Sequence, residues 1–370
     1  MSHIKPRILL DESKVRHNIE RIANKARSSR TRFQPHFKTH QSPEIGRIFK
    51  ESGVSSITVS NLTMANAFAD DGWSTIMLGL PVPPAWASAL DELAGKVDTL
   101  SVLINSPDTV SAIDKSISHT INVYVELDTG QHRSGIDPKN FNKLRNLAGA
   151  FNQTNKLRLA GFYTHPGHTY QAVSNAQIEK IHKDSISLLE GTRTLFANEM
   201  NTDSYELEII LGDTPSCSVI DEFSTLDAIT PGNLAFYDLQ QFVLGACGIN
   251  DIAIALEAIV LENNISKNQL IVHGGAVHLS KDTAKINGTD IYGLICLWDP
   301  ESQSWTEPIE GAFIRSISQE HGVIHYPKEA PELNSGDAVY ILPCHSCLTA
   351  NLMRAYWGLK KQEWIHMYEK

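Results

Sequence analysis

Phe33-Gln34-Pro35-His36-Phe37-Lys38-Thr39-His40 is a short, largely apolar run that leads into a lysine with a histidine two residues away on either side. In an extended strand the side-chain period is two, so the run is expected to turn His36, Lys38 and His40 the same way. Basic groups gathered on one face lower each other's affinity for protons, and a readily deprotonated lysine is what Schiff-base chemistry needs. Taken alone, the stretch reads far more readily as a strand-end lysine with its amine in water. Its weight comes from what recurs downstream.

From this stretch onward a strand–helix alternation is expected to repeat eight times. The predicted strands are 33–38, 56–60, 75–80, 100–104, 121–127, 157–164, 206–211 and 227–230. Helical patterns follow most of them, shrinking after the seventh to a short piece near 219–223. Strands alternating with helices predict a parallel sheet, and eight units is the number that closes a (β/α)8 TIM-type barrel. The pattern fits an open doubly wound sheet as well; the count favours the closed barrel. Upstream, Arg7-Ile8-Leu9-Leu10 reads as a strand, and Val15, Ile19, Ile22 and Ala26 mark one stripe of a helix that starts near Asp11–Ser13.

Past about Gln241 the texture becomes short strand-like runs separated by turn signals such as Asn287-Gly288 and Ser335-Gly336-Asp337, which predicts a C-terminal all-β domain. The expected division is 11–240 for the barrel and 1–10 with 241–370 for the β domain. Trp357, Trp364, His366 and Tyr368 suggest a tail helix packed on the barrel.

Composition bounds the rest. The 370 residues carry a formal charge of −10, and 42% are hydrophobic, enough for two cores. The acidic balance and the lack of a basic block argue against nucleic acid or an anionic membrane as partner. The first residues, Met1 to Arg7, form no apolar leader, and no run approaches the length of a membrane span. Five scattered cysteines suit reduced thiols in a cytoplasm better than a disulfide framework. Cys217 reads as a small buried side chain.

The unusual clusters of the first domain follow predicted strands: Lys38 after the first, Asp128-Thr129-Gly130-Gln131-His132-Arg133-Ser134-Gly135 after the fifth, and Tyr163-Thr164-His165-Pro166-Gly167-His168 at the sixth. Gly212-Asp213-Thr214-Pro215-Ser216 follows the seventh, and Pro231-Gly232-Asn233 the eighth. In a closed barrel these ends share one face, where active sites lie. Any single cluster could be ordinary loop chemistry. Barrels commonly hold a phosphate after strands seven and eight, where Thr214 and Ser216 supply hydroxyls and Gly232 permits close approach. A phosphate anchor beside an imine-forming lysine suggests pyridoxal phosphate. Near the C-terminus, His345 and Cys347 in Pro343-Cys344-His345-Ser346-Cys347 are expected to face one way in an extended segment and to offer zinc-type ligands; by itself such a pair is more often incidental in a β domain. Two protein ligands are too few for a structural zinc and suit an open site on a substrate oxygen.

Together these segments, with Glu126-Leu127 and Tyr237-Asp238, resemble the D-threonine aldolase / D-serine dehydratase family of fold-type III pyridoxal phosphate enzymes, relatives of alanine racemase. Asp213 departs from the pattern, since a small residue is expected there. The resemblance implies that Lys38 is the Schiff-base lysine and the base at Cα, that Arg133 lies near the ring and phenolic oxygen, and that Tyr163 stands on the substrate side. It also implies a cofactor site drawn from His36, His165, Thr214, Ser216, Gly232, Asn233 and Tyr237 besides, with His345 and Cys347 as metal ligands. Aldolases of the family look like His-x-Asp at the metal pair and dehydratases like His-x-Cys, so Cys347 points to a zinc-dependent dehydratase of D-serine or a related D-3-hydroxy amino acid. Retro-aldol cleavage is the alternative, and a non-catalytic pyridoxal phosphate carrier a distant third. A homodimer is expected.

Overall fold

The computed structural model describes residues 5–369; residues 1–4 and 370 of the expected β domain lie outside the described residues. The chain forms two compact units. One comprises 20–232 with 368–369, the other 5–19 with Asn233–Met367.

The larger unit carries eight parallel strands. Their sheet order is Arg32–Phe33, Ala228–Ile229, Glu208–Leu211, Leu157–Thr164, Ile121–Glu126, Thr99–Leu103, Thr75–Pro81 and Ile57–Val59. A parallel bridge between His36 and Thr58 joins the two end strands and closes the ring. This is the barrel that the count of eight favoured. Its interior is filled by Met77, Leu103, Tyr124, Tyr163, Ile210 and Ala228, one inward residue from each of six strands. One polar network crosses this interior. Arg32 makes a two-pronged ion pair with Glu208 at 3.1 and 2.6 Å, and the Tyr124 hydroxyl donates to the same carboxylate at 2.6 Å. Planar guanidinium and carboxylate match in geometry, which lets the pair survive partial burial.

The first predicted strand is shorter than expected. Only Arg32–Phe33 is strand, and Phe37 to His40 form a turn closed by Gln41 N–H donating to the Phe37 carbonyl at 3.0 Å. The cause is an aromatic cluster. Phe37 packs at 4.9–5.1 Å from the rings of Phe49, Phe68 and Trp73, and His40 lies 4.4 Å from Phe37. Burying two rings in that cluster outweighs continuation of the strand.

In the other unit, six antiparallel strands close a barrel: Ile254–Asn264, Gln269–His273, His321–His325, Phe313–Ile317, Gly293–Cys296 and Ala338–Pro343. The eleven-residue first strand makes closure possible by pairing with both Gln269–His273 and Ala338–Pro343. Its start also pairs with Arg7–Leu10, as expected for that segment, which in turn pairs with Ala355–Gly358. The expected tail helix is absent: Ala355–Gly358 and Trp364–His366 are antiparallel strands with Trp357 directly opposite Trp364. Their rings meet at 5.5 Å, and such cross-strand aromatic pairs favour sheet. The helix of this region is Ser346–Met353 instead. The unit also begins at Asn233, earlier than the expected 241, because Asn233 and Asp238 bond to Ser346.

Candidate active site

The turn at Phe37–His40 sets the first element of the site. Phe37, Thr39 and His40 are wholly buried and Lys38 between them is exposed, so the lysine is presented by a backbone its neighbours clamp. His36 stays beside it, its Nδ1 accepting from the Lys38 N–H at 3.3 Å. His40 does not share their face, contrary to the period-two expectation. Burial among the aromatic rings pushes His40 down to about 3. Burial, then the charges of Lys38, His165 and Arg133, holds His36 well below the ordinary histidine value.

The loop after Ile121–Glu126 is tied back on itself. Asp128 accepts the N–H groups of Gly130 and His132 at 3.0 and 2.9 Å. Gly135 has φ +104°, and a Cβ there would press on the Asp128 N–H, so the turn needs glycine. The loop leaves Arg133 exposed. Glu126, at the strand end, is buried and accepts from Ser134 Oγ at 2.9 Å and Asn105 at 3.3 Å. Burial raises its pKa, against those hydrogen bonds and the Arg133 charge.

On the next strand Tyr163 is buried and pushed up to about 12, by burial and then by Glu126. His165 Nδ1 bonds the Gly212 carbonyl. Burial, then Lys38, lowers His165 to about 3, so it is neutral. Asp213, the residue out of pattern, does not face a phosphate with a free charge. It caps the helix Thr214–Val219, its Oδ2 accepting from Ser216 N–H and Thr169 Oγ1, both at 2.8 Å. Burial raises it to about 6. Gly212 and Gly232 are tight spots: a Cβ on the first would overlap the Thr230 hydroxyl, and one on the second would sit 3.0 Å from the His36 carbonyl. The helix here begins at Thr214, five residues before the expected piece, because Asp213 caps it.

The structure thus brings His36, Lys38, Arg133, Tyr163, His165, Thr214, Ser216 and Gly232 to the C-terminal ends of one barrel's strands. Asn233 and Tyr237 belong to the other unit. Asn233 donates to Asp238 at 2.7 Å and to Ser346 Oγ at 3.2 Å, and its Nδ2 lies 3.5 Å from Cys347 Sγ. Two basic side chains, two histidines kept neutral by burial and the hydroxyls of Thr214 and Ser216 form a set that suits an anionic aldehyde cofactor such as pyridoxal phosphate, with Lys38 as its amine.

The metal pair is not extended. His345 is the residue before helix Ser346–Met353, and Cys347 lies in its first turn. His345 Nδ1 bonds Asp282 Oδ2. Burial opposes its proton, but Cys347, Asp238 and Asp282 outweigh burial and hold it up to about 10. Once a cation displaces that proton, the His345 ring and the Cys347 sulfur, with carboxylate support, fit a divalent metal. Asp282 was not legible in the sequence, and Glu126 and Asp238 stood there only inside matching segments without a role: each is an ordinary acid until folding supplies its partner.

A second group, His273, His278 and Glu320, has ligand atoms within 4.8 Å of one another. There the Gly275 N–H donates to His278 Nδ1 at 3.2 Å, so the neutral ring carries its proton on Nε2, the atom that faces Glu320 at 3.9 Å. That is the hydrogen-bonding tautomer rather than the ligating one.

The chain belongs to the alanine racemase N-terminal domain family, whose model matches residues 10–205. A second model, "Putative serine dehydratase domain", matches residues 253–359. At the level of single proteins, the chain is similar to the D-serine dehydratase of Dictyostelium discoideum, 27% identical with 95% of this chain and 92% of the relative covered. It is 24% identical to the D-threo-3-hydroxyaspartate dehydratase of Delftia sp., over 99% of this chain and 96% of that protein. The solved structure of the Delftia protein superposes with a TM-score of 0.85 at 22% identity, covering 100% of this chain and 98% of that one. A cysteine-to-alanine mutant of a D-threo-3-hydroxyaspartate dehydratase has been solved in a metal-free form. D-threonine aldolase from Filomicrobium marinum gives a TM-score of 0.78 at 20% identity, covering 98% and 94%. No helix among the described residues is long and apolar enough to cross a membrane.

Proposed function

We propose that this chain is a pyridoxal phosphate- and zinc-dependent lyase. It would remove the Cα proton and the β-hydroxyl of D-serine or a related D-3-hydroxy amino acid and release a 2-oxo acid and ammonia. The observation that carries the reading is the cationic mouth of the barrel, where a clamped, exposed Lys38 shares its field with Arg133 and two histidines kept neutral. Bound pyridoxal phosphate would supply an electron sink for charge that develops at Cα.

Lys38 would hold the cofactor and, when the substrate amine takes its place, accept the Cα proton on Nζ. Arg133 would neutralise the phenolic oxygen. Tyr163, whose proton is held to about pH 12, would act as a hydrogen-bonding group on the substrate side rather than as a base. His36 and His165 would flank the ring without adding charge. Thr214, Ser216 and Gly232 would receive the phosphate. His345 and Cys347 would hold zinc, whose Lewis acidity at a β-hydroxyl makes hydroxide a better leaving group. Similarity to D-threo-3-hydroxyaspartate dehydratases, one of them a cysteine mutant in a metal-free form, supports a metal role for Cys347.

Retro-aldol cleavage remains the second reading, favoured by the fold shared with a D-threonine aldolase; the His345-x-Cys347 pair favours elimination. A carrier without turnover comes third. A cytoplasmic homodimer is part of this reading; light scattering at working concentration that returned a monomer mass would count against the dimer.

The decisive assay incubates the protein with D-serine and D-threonine and identifies the carbonyl product. Pyruvate from D-serine, lost on chelation and restored by zinc, supports the proposal. Acetaldehyde from D-threonine with no pyruvate makes it an aldolase, and full-rate pyruvate from metal-free protein ends the zinc mechanism.

A further inference from the structure

We infer that Asp282 is a positioning residue that fixes His345 in the tautomer able to ligate a metal. This rests on reading His345 and Cys347 as metal ligands. Asp282 Oδ2 bonds His345 Nδ1. A carboxylate only accepts, so the ring proton belongs to Nδ1 and the lone pair of the neutral ring to Nε2. A carboxylate at the far nitrogen also raises the basicity of the ligating one and holds the ring plane.

The chain places Asp282 with care. Ser280, two residues before it, has φ +72°, a conformation that side-chain-bearing residues rarely adopt. Its Oγ accepts the Asp282 N–H at 3.2 Å, which fixes the backbone from which the carboxylate reaches His345. Cys347 has separate support, with Asn233 Nδ2 3.5 Å from its sulfur and Asn233 itself held by Asp238 at 2.7 Å. Each member of the pair is thus oriented by its own acid, one directly and one through an amide. The contrast with His278 is instructive: there Nδ1 accepts from a backbone N–H, and the same chemistry points the other way. The Asp282 side chain is 37% exposed, so its removal leaves no buried cavity.

The test measures zinc affinity of the cofactor-loaded protein by competition with a chromophoric chelator. It compares the wild type with His345→Ala, Asp282→Ala, Asp282→Asn and Asp282→Glu, and reads melting temperature and the visible cofactor band alongside. Asp282→Ala is expected to weaken zinc binding about 10- to 100-fold with both control signals unchanged. Asp282→Asn, which keeps an acceptor without the charge, should fall between, and Asp282→Glu should recover most of the loss. If His345→Ala weakens zinc and the Asp282 variants bind like the wild type, the inference is overturned and the metal pair stands. If His345→Ala also binds like the wild type, the metal pair itself is wrong. Should Asp282→Ala lower the melting temperature, Asp282→Asn decides: zinc affinity equal to wild type overturns the inference.

Discussion

Lys38 owes its place to its neighbours. Phe37 and His40 are driven into an aromatic cluster, and the residue between them and Thr39 is left facing outward on a short, anchored turn. Replacing Lys38 with Ala removes the only amine of that turn and should abolish turnover, together with the visible band that borohydride would bleach in the wild type. A labelled peptide from reduced wild-type protein that lacked Lys38 would refute the assignment. Cys347 carries the other residue-scale prediction. A thiolate prefers zinc, and a carboxylate shifts preference toward harder cations. Cys347→Asp should retain less zinc after dialysis and more manganese or magnesium, as read by elemental analysis, and should raise cleavage of D-threonine relative to D-serine. An unchanged metal ratio would count against Cys347 as a ligand.

At the scale of elements, the strand Leu157–Thr164 shows how one backbone position controls pairing. Gly161 has φ +156°, beside a register shift in the pairing with Ile121–Glu126. A Cβ there would overlap the backbone of Glu208 on the next strand. Backbone cannot give way as a flexible side chain can, so Gly161→Ala should cost about 3 kcal/mol, read from a urea midpoint; a loss under about 1 kcal/mol would show that the sheet tolerates the methyl. The helix Thr214–Val219 depends on its cap. Asp213→Ala removes the acceptor of Ser216 N–H and Thr169 Oγ1 and should cost about 1–2 kcal/mol. Asp213→Asn keeps a capping oxygen and sheds a buried charge, so its stability near pH 7 should match or exceed the wild type. Equal losses in both variants would mean that the charge, not the cap, matters.

For the whole molecule, buried neutral histidines make stability depend on pH. His40 and His182 are lowered by burial to about 3 and about 4, against 6.5 for the free group. Between those values and 6.5 the unfolded chain binds protons that the folded one refuses. Their contribution is therefore complete above pH 6.5 and is lost as pH falls toward 4 and 3. At pH 5 each should have cost about 2 kcal/mol relative to pH 7. Asp213, raised to about 6 from 3.8, acts in the opposite sense, because the folded chain holds its proton longer. In Asp213→Asn the fall in melting temperature on acidification should therefore be steeper than in the wild type, and an identical slope would remove Asp213 from the balance.

Much of this architecture could be read from local pattern. Eight strands in alternation, the stripe Val15–Ile19–Ile22–Ala26 and the turn-rich β texture after Gln241 are all short-range, because side-chain period and turn chemistry act within a few residues. Lys38 and the His345-x-Cys347 pair stood out by residue type and spacing, whereas Arg133 and Tyr163 took their roles only from the family resemblance. What folding alone settled has sequence separation in common. His40 left the Lys38 face because Phe49 and Phe68 were waiting for it. The tail became strands because Trp357 could meet Trp364 across a sheet built on Arg7–Leu10. Asp282 acquired meaning only when a residue 63 positions later came within hydrogen-bonding distance. Pairing energies of this kind depend on which surfaces the chain brings together, and no window of neighbouring residues contains them.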